Sequence, residues 1–276
     1  MPRSRAADAL SLVRARNLLL SAAGVGIGGV LAQGHATFPP MILWAMGSAI
    51  GLGAAGNVAN DVADRDADRM NRPQAPLVAG TVPVGAALAI GGIAGGLGLL
   101  AALWVSFQLF AIALAALAVM LVYSPLLKQR GVLGNLAVAV VASVPLVYGA
   151  SAAGWWRAGL APSAMAALLH FAREIVKDVD DEPGDRAIGR RTIPIVYGRA
   201  TALTLAAGAL VLFVPVSLAP WVAGWYGRHY GLLVSALNVG VGLLVVWLLQ
   251  GRTEGVRASL KTAMLVGLVA LLWDRL

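Results

Sequence analysis

The chain has 276 residues, 59% of them hydrophobic and only 12% charged, with a mean hydropathy of +0.79. A soluble domain carries about a quarter charged residues and a membrane β-barrel shows alternating segments of roughly ten residues, so both classes are excluded. The net charge of +8 is scattered over the ends of apolar runs, which argues against nucleic acid, and the absence of cysteine excludes disulfides, thiol nucleophiles and thiolate metal sites.

What remains is an all-α, polytopic membrane protein, a single domain over 1–276. Nine spans are predicted, at about 15–33, 41–60, 83–103, 105–124, 132–153, 159–177, 199–219, 230–250 and 256–274. The segment ahead of the first span carries Arg3, Arg5, Arg14 and Arg16 and leads directly into a full-length run, so it does not read as a signal peptide. His35–Pro40 separates spans one and two, Ser124-Pro125 follows span four, Gly154-Trp155-Trp156 follows span five, and Ala219-Pro220-Trp221 follows span seven. Lys and Arg concentrate in the N-terminus, the 61–82 loop, the Lys128/Arg130 turn, the 178–199 loop and the Arg252/Arg257 turn, which places all of these on the cytoplasmic side of the cell membrane. Trp155, Trp156, Trp221 and Trp225 then form an aromatic belt on the outer side.

The acids are distributed unevenly. Of thirteen Asp and Glu, four lie between Asp61 and Asp68 and six between Glu174 and Asp185, after spans two and six. If span two continues as helix, Asn60, Asp64 and Asp68 fall within about 80° of arc at roughly 100° per residue, with Asn57 inside that arc, Asp61 beside it and Asp66 on the far side. Glu174, Asp178 and Asp181 share about 60° in the same way, with Asp180 opposite, and Pro183-Gly184 bends or ends the helix before Asp185. Like charges at this spacing destabilise a helix. A divalent cation offsets that, and carboxylate and amide oxygens suit Mg²⁺, which keeps waters and shares phosphate oxygens with a substrate. One acidic loop at a membrane surface is ordinarily just solvated; two one-sided clusters on one membrane face point to a diphosphate clamped by metal. An EF-hand spacing and a glycine-rich phosphate loop are both missing. A cation transporter would carry its acids at mid-span rather than at one face, and a scaffold protein has no use for two carboxylate faces.

These residues resemble the UbiA superfamily of intramembrane prenyltransferases. Asn60-Asp61-x-x-Asp64-x-x-x-Asp68 is similar to its first signature and Asp181-x-x-x-Asp185 to its second. Arg14-x-x-Asn17, and Tyr123-Ser-Pro-Leu-Leu-Lys128 followed by Gly134-Asn135, resemble smaller motifs of the family in the same order. The resemblance implies nine helices around a cavity open sideways to lipid, with the isoprenoid diphosphate's head under cytoplasmic loops. The stretch from Arg173 to Arg186 looks most like the archaeal digeranylgeranylglyceryl phosphate synthases, which implies geranylgeranyl transfer to a lipid acceptor, geranylgeranylglyceryl phosphate. The alternative is an aromatic acceptor such as 4-hydroxybenzoate or a naphthoate.

On this reading Asp64, Asp68, Asp181 and Asp185, with Asn60, are the expected Mg²⁺ ligands. Asp178, Asp181 and Asp61 are the expected catalytic residues, Asp178 as metal ligand or base, or else as an ion-pair partner of Lys177. Arg14, Asn17, Asn57, Asn60, Arg72, Tyr123, Lys128, Lys177 and Arg186 are the expected substrate contacts. Arg14, Arg72 and Lys128 meet the diphosphate or serve as membrane-surface anchors. Tyr123 shields an allylic cation by its π face or joins the interfacial aromatics. Arg186, Arg190 and Arg191 bind an acceptor's phosphate or add to the cytoplasmic charge, and His170 reads as a core residue.

Overall fold

The computed structural model describes residues 5–128, 130–187 and 189–275. Its helices in chain order are α1 (Arg5–Leu12), α2 (Ala15–Gln33), α3 (Pro40–Ala63), α4 (Arg65–Asn71), α5 (Val84–Val105), α6 (Phe107–Val122), α7 (Val132–Ala152), α8 (Leu160–Asp180), α9 (Glu182–Ala187), α10 (Ile193–Tyr197), α11 (Arg199–Val222), α12 (Arg228–Leu249) and α13 (Val256–Trp273). A π-helical turn, Tyr123–Leu127, follows α6, and a 3₁₀ turn, Trp156–Gly159, precedes α8. The nine predicted spans correspond to α2, α3, α5, α6, α7, α8, α11, α12 and α13.

Seven of these are long and apolar enough to cross a bilayer. The other two depart for separate reasons. Helix α6 has 16 residues, about 24 Å of helix, and α8 carries Glu174, Lys177, Asp178 and Asp180 in its last two turns. Apolar composition forces helix here, because lipid offers no partner to a free N–H or C=O. Local signals set the ends. Pro39 and Pro83 precede α3 and α5 with extended backbone, Gly34 (φ 79°) closes α2, and Ser106 Oγ accepts the Leu109 N–H at 3.1 Å to start α6.

The interior holds two large apolar clusters and a smaller third around Leu12, Val58, Leu77 and Ala87. One of the large clusters joins α8, α11, α12 and α13, around Ile175, Leu210, Phe213, Tyr230 and Leu260; the other joins α2, α3, α5, α6 and α7, around Val25, Ala49, Leu109, Ala113 and Tyr148. Outward faces stay apolar as well, with Leu19, Ile93, Trp104 and Val222 exposed, as lipid contact requires. The short helices α4, α9 and α10 and the π-helical turn collect at the ends of α3, α6 and α8; of the four predicted belt tryptophans, Trp155, Trp156 and Trp225 follow the other ends of α7 and α11, and Trp221 lies in the last turn of α11.

The expected continuous helix through the first acidic segment is interrupted. Asp64 (φ −89°, ψ 2°) ends α3, and α4 begins at Arg65. The break is slight, because the Asp64 N–H still bonds to the Asn60 carbonyl at 2.9 Å and the Asp68 N–H to the Asp64 carbonyl at 2.8 Å. The predicted facing of Asn60, Asp64 and Asp68 therefore carries across the junction, while Asp66 projects outward, 90% exposed.

Candidate active site at the acidic end of the bundle

A cavity of about 690 Å³ runs between α2, α3, α6, α7, α8, α11, α12 and α13. Its body is apolar, with Leu52, Met120, Val141, Leu169, Val234 and Leu268 among its walls. Its polar end is lined by Arg14, Asn17, Asn57, Asn60, Tyr123, His170, Arg173, Glu174, Lys177, Arg257 and Lys261. Asp61 follows Asn60 on α3 and Asp178 and Asp180 follow Lys177 on α8, and the other acids of the two segments, Glu174 apart, lie just beyond these helix ends. Apolar body and charged mouth suit a long hydrocarbon bearing a charged head.

The first wall is built from the junction of α1 and α2. Arg14 adopts a left-handed conformation (φ 55°, ψ 53°), the single such non-glycine among the described residues. This turn is sparsely populated and costs about 1–3 kcal/mol unless its surroundings determine it. Two side chains of α3 do so: Asn57 Nδ2 donates to the Val13 carbonyl at 2.8 Å, and Arg14 donates to buried Asp61 at 2.5 Å. Asp61 also faces Arg72 at 3.8 Å. It is thus an anchor for two cations, and Asn57 commits its amide N–H to the same turn while still lining the cavity.

The two acidic segments meet through Arg190, and other basic side chains pair within each segment. Lys128, which follows the π-helical turn, donates to Asp64 Oδ2, and Arg190 reaches Asp64 Oδ1 at 3.1 Å with one guanidinium nitrogen and Asp185 Oδ1 at 2.8 Å with the other. Asp64 and Asp185, 126 and 5 residues from Arg190, are so drawn to one centre. Arg72 holds Asp68 at 3.4 Å. Burial pushes the Asp68 carboxyl up from its ordinary value, with Asp61 and Asp64 adding to the rise and Arg72 and Lys128 opposing it. Burial likewise pulls the Lys128 ammonium down against the attraction of Asp64. Asp181, at the end of α8, is raised by burial, with Lys177 and Arg257 opposing. On α8 itself, Asp178 Oδ2 accepts from Asn135 Nδ2 of α7 at 2.9 Å, and Glu174 sits between Arg173 (2.7 Å) and Lys177 (3.0 Å).

Among the described residues no three of Asp, Glu, His or Cys stand close enough to hold a metal alone. Mg²⁺ takes one or two carboxylates and completes its shell with water and phosphate oxygens. The hard oxygens of Asp64, Asp68, Asp181 and Asp185 fit it.

Of the other predicted contacts, Asn17, Asn60, Tyr123 and Lys177 line the cavity. Arg186 does not: it is exposed and pairs with Glu182 at 2.7 Å. Sequence reasoning gave Arg190 only a loose role beside Arg186 and Arg191, and assigned none to Asn135, Arg257 or Lys261. For Arg190 the readable signal was Gly189 (φ 71°), which turns the chain back so that Arg190 N–H bonds the Asp185 carbonyl at 2.9 Å.

Residues 19–269 match the UbiA prenyltransferase family. Digeranylgeranylglyceryl phosphate synthase of Halobacterium salinarum is 36% identical over 249 residues, 89% of this chain and 88% of that protein. A solved structure described as digeranylgeranylglyceryl phosphate synthase in membranes superposes with a TM-score of 0.83 at 25% identity, covering 98% of each chain. A UbiA homolog from Archaeoglobus fulgidus, solved with GPP and Mg²⁺, shares the fold at a TM-score of 0.69 and 18% identity, covering 97% of this chain and 99% of that one. The nine-helix bundle, the two acidic segments at one of its ends and this similarity along nearly the whole chain make the protein a membrane-embedded prenyltransferase that belongs to the UbiA family.

Proposed function

We propose that the chain transfers a geranylgeranyl group from its diphosphate to the free hydroxyl of geranylgeranylglyceryl phosphate, with Mg²⁺ as cofactor, at the cytoplasmic face of the plasma membrane. One observation carries this reading: Arg190 joins the two acidic segments, through Asp64 and Asp185, at the end of the bundle where Asn60, Glu174 and Lys177 line the polar end of an apolar cavity. The name borne by the 36% identical relative supports the acceptor, and the Mg²⁺ and GPP of the Archaeoglobus homolog support the cofactor and donor class.

In this reaction the C1–O bond of the prenyl diphosphate breaks and the acceptor's hydroxyl oxygen bonds to C1. Lys128, Arg14 and Arg72 surround the departing diphosphate with positive charge, a contribution that grows as the bond breaks. Asp64, Asp68, Asp181 and Asp185, with Asn60, would hold Mg²⁺, which supplies further charge to the leaving group. Tyr123 lines the cavity where its ring can face the allylic carbon. Asp178, oriented by Asn135, takes the proton of the acceptor hydroxyl.

Purified enzyme given radiolabelled geranylgeranyl diphosphate is expected to label geranylgeranylglyceryl phosphate and not 4-hydroxybenzoate; label in the aromatic acid alone overturns the acceptor. Asp64→Asn and Asp181→Asn should each lower the rate by on the order of 100-fold or more with the protein still folded and membrane-inserted. Full activity of either variant with Mg²⁺ present removes the metal assignment.

A further inference from the structure

Four basic side chains of the cavity lie outside the diphosphate site just described. Arg173 and Lys177 come from α8, and Arg257 and Lys261 from the first two turns of α13. The carboxylate facing them from the cavity wall is Glu174.

Several physical costs accumulate at this wall. Arg257 and Lys261 are one turn apart on a single helix, a spacing at which like charges repel. They also occupy the N-terminal end of α13, where the helix dipole disfavours cations. Lys261 forms no ion pair among the described residues, and Arg257 has a loose contact with Asp180 at 3.5 Å and a longer-range attraction to Asp181. Arg173 Nε is buried with no hydrogen-bond partner among them. Each cost is relieved by an anion seated between α8 and α13. Beneath that position α13 turns Met264, Leu268 and Leu271 toward the cavity, at the three- and four-residue spacing of one helix face. An anion with a hydrocarbon tail fits this wall from end to end.

We propose that Arg173, Lys177, Arg257 and Lys261 form a phosphate-monoester subsite for the acceptor, distinct from the diphosphate site at Lys128, Arg14 and Arg72. The inference rests on the lipid-phosphate acceptor of the proposed function. It explains how two phosphate-bearing prenyl lipids are sorted in one cavity: the donor's head meets carboxylates and cations at α3 and the π-helical turn, and the acceptor's head meets cations at α8 and α13. Asp178 stands one turn beyond Glu174 on the same face of α8, which brings the proton acceptor to the acceptor's side.

The test compares Arg257→Gln/Lys261→Gln with the parent enzyme in neutral detergent and EDTA. Binding of geranylgeranylglyceryl phosphate and of phosphate-free geranylgeranylglycerol is measured by calorimetry, and steady-state constants are taken with Mg²⁺. The parent is expected to prefer the phosphate form, and the double variant to lose that preference by about tenfold or more. The acceptor KM should rise by a similar factor while the donor KM stays unchanged, and Arg257→Lys should retain most of the binding. A double variant that folds and keeps the parent's preference overturns the subsite while leaving the proposed function standing. A parent enzyme that neither binds nor prenylates geranylgeranylglyceryl phosphate overturns both. Equal displacement of the acceptor by phosphatidylglycerol identifies a lipid-headgroup anchor instead and also overturns the subsite.

Discussion

Arg190 is the residue on which the acidic end turns. It is 14% exposed and grips Asp64 (13%) and Asp185 (7%), one from each segment. Removing it leaves sheltered Asp185 without its counter-charge and Asp64 with Lys128 alone, so Arg190→Gln is expected to destabilise the protein by roughly 1–3 kcal/mol. Added Mg²⁺ should recover part of this loss, because a divalent cation replaces the missing charge. Thermal unfolding in detergent measures both effects, and an equal response to Mg²⁺ in parent and variant counts against a metal at these carboxylates. Helical spacing told Asp64 and Asp68 apart from Asp66, which indeed points away. It carried no information on Arg190, whose partners lie 126 and 5 residues distant, nor on Asp61, whose closest partner, Arg14, is 47 residues away.

At the scale of elements, hydrophobic run length located all nine long helices, since in lipid an apolar run of this length has no other way to satisfy its backbone. Two features escaped. The end of α3 at Asp64 leaves its hydrogen-bond spacing intact, so periodicity has nothing to detect. The π-helical turn Tyr123–Leu127 arises where Pro125 supplies no N–H, and sequence reads that only as a turn. Two glycines show how closely the helices pack. A Cβ on Gly28 of α2 would strike the Leu146 carbonyl of α7, and one on Gly149 of α7 would strike the Val25 carbonyl of α2. Backbone cannot yield as a side chain can. Gly149→Ala should therefore force α2 and α7 apart and cost on the order of 1–3 kcal/mol or more, whereas Gly47→Ala, which meets open space within 4 Å, should be nearly silent. Unfolding midpoints of the two variants make the comparison. Because α2 carries Asn17, with Arg14 just ahead of it, and α7 carries Asn135, Gly149→Ala should lower activity as well.

For the whole molecule, the cavity draws on both of the larger apolar clusters, and its two sides meet different demands. The side bounded by α3, α6 and α7 lies beneath Tyr123 and Lys128 and, on the proposed function, is expected to receive the donor's chain. The side bounded by α8, α12 and α13 lies beneath Arg257 and Lys261. Ala116 lines the first side seven residues before Tyr123, about 10 Å along α6. It is half-buried, so a larger side chain enters the cavity with little pressure on the packed core. Ala116→Phe should obstruct the deeper part of the donor's path and leave the charged mouth intact. A short allylic diphosphate ends before the obstruction and a geranylgeranyl chain does not. The variant is accordingly expected to lose roughly tenfold or more in kcat/KM for geranylgeranyl diphosphate, in keeping with about 1.4 kcal/mol per decade, while its constants for geranyl diphosphate change little. Competition between the two labelled donors reads the ratio directly in one reaction. An equal loss with both donors means that the added ring disturbs the mouth, and an unchanged ratio means that the donor's chain runs along the α12 and α13 side instead.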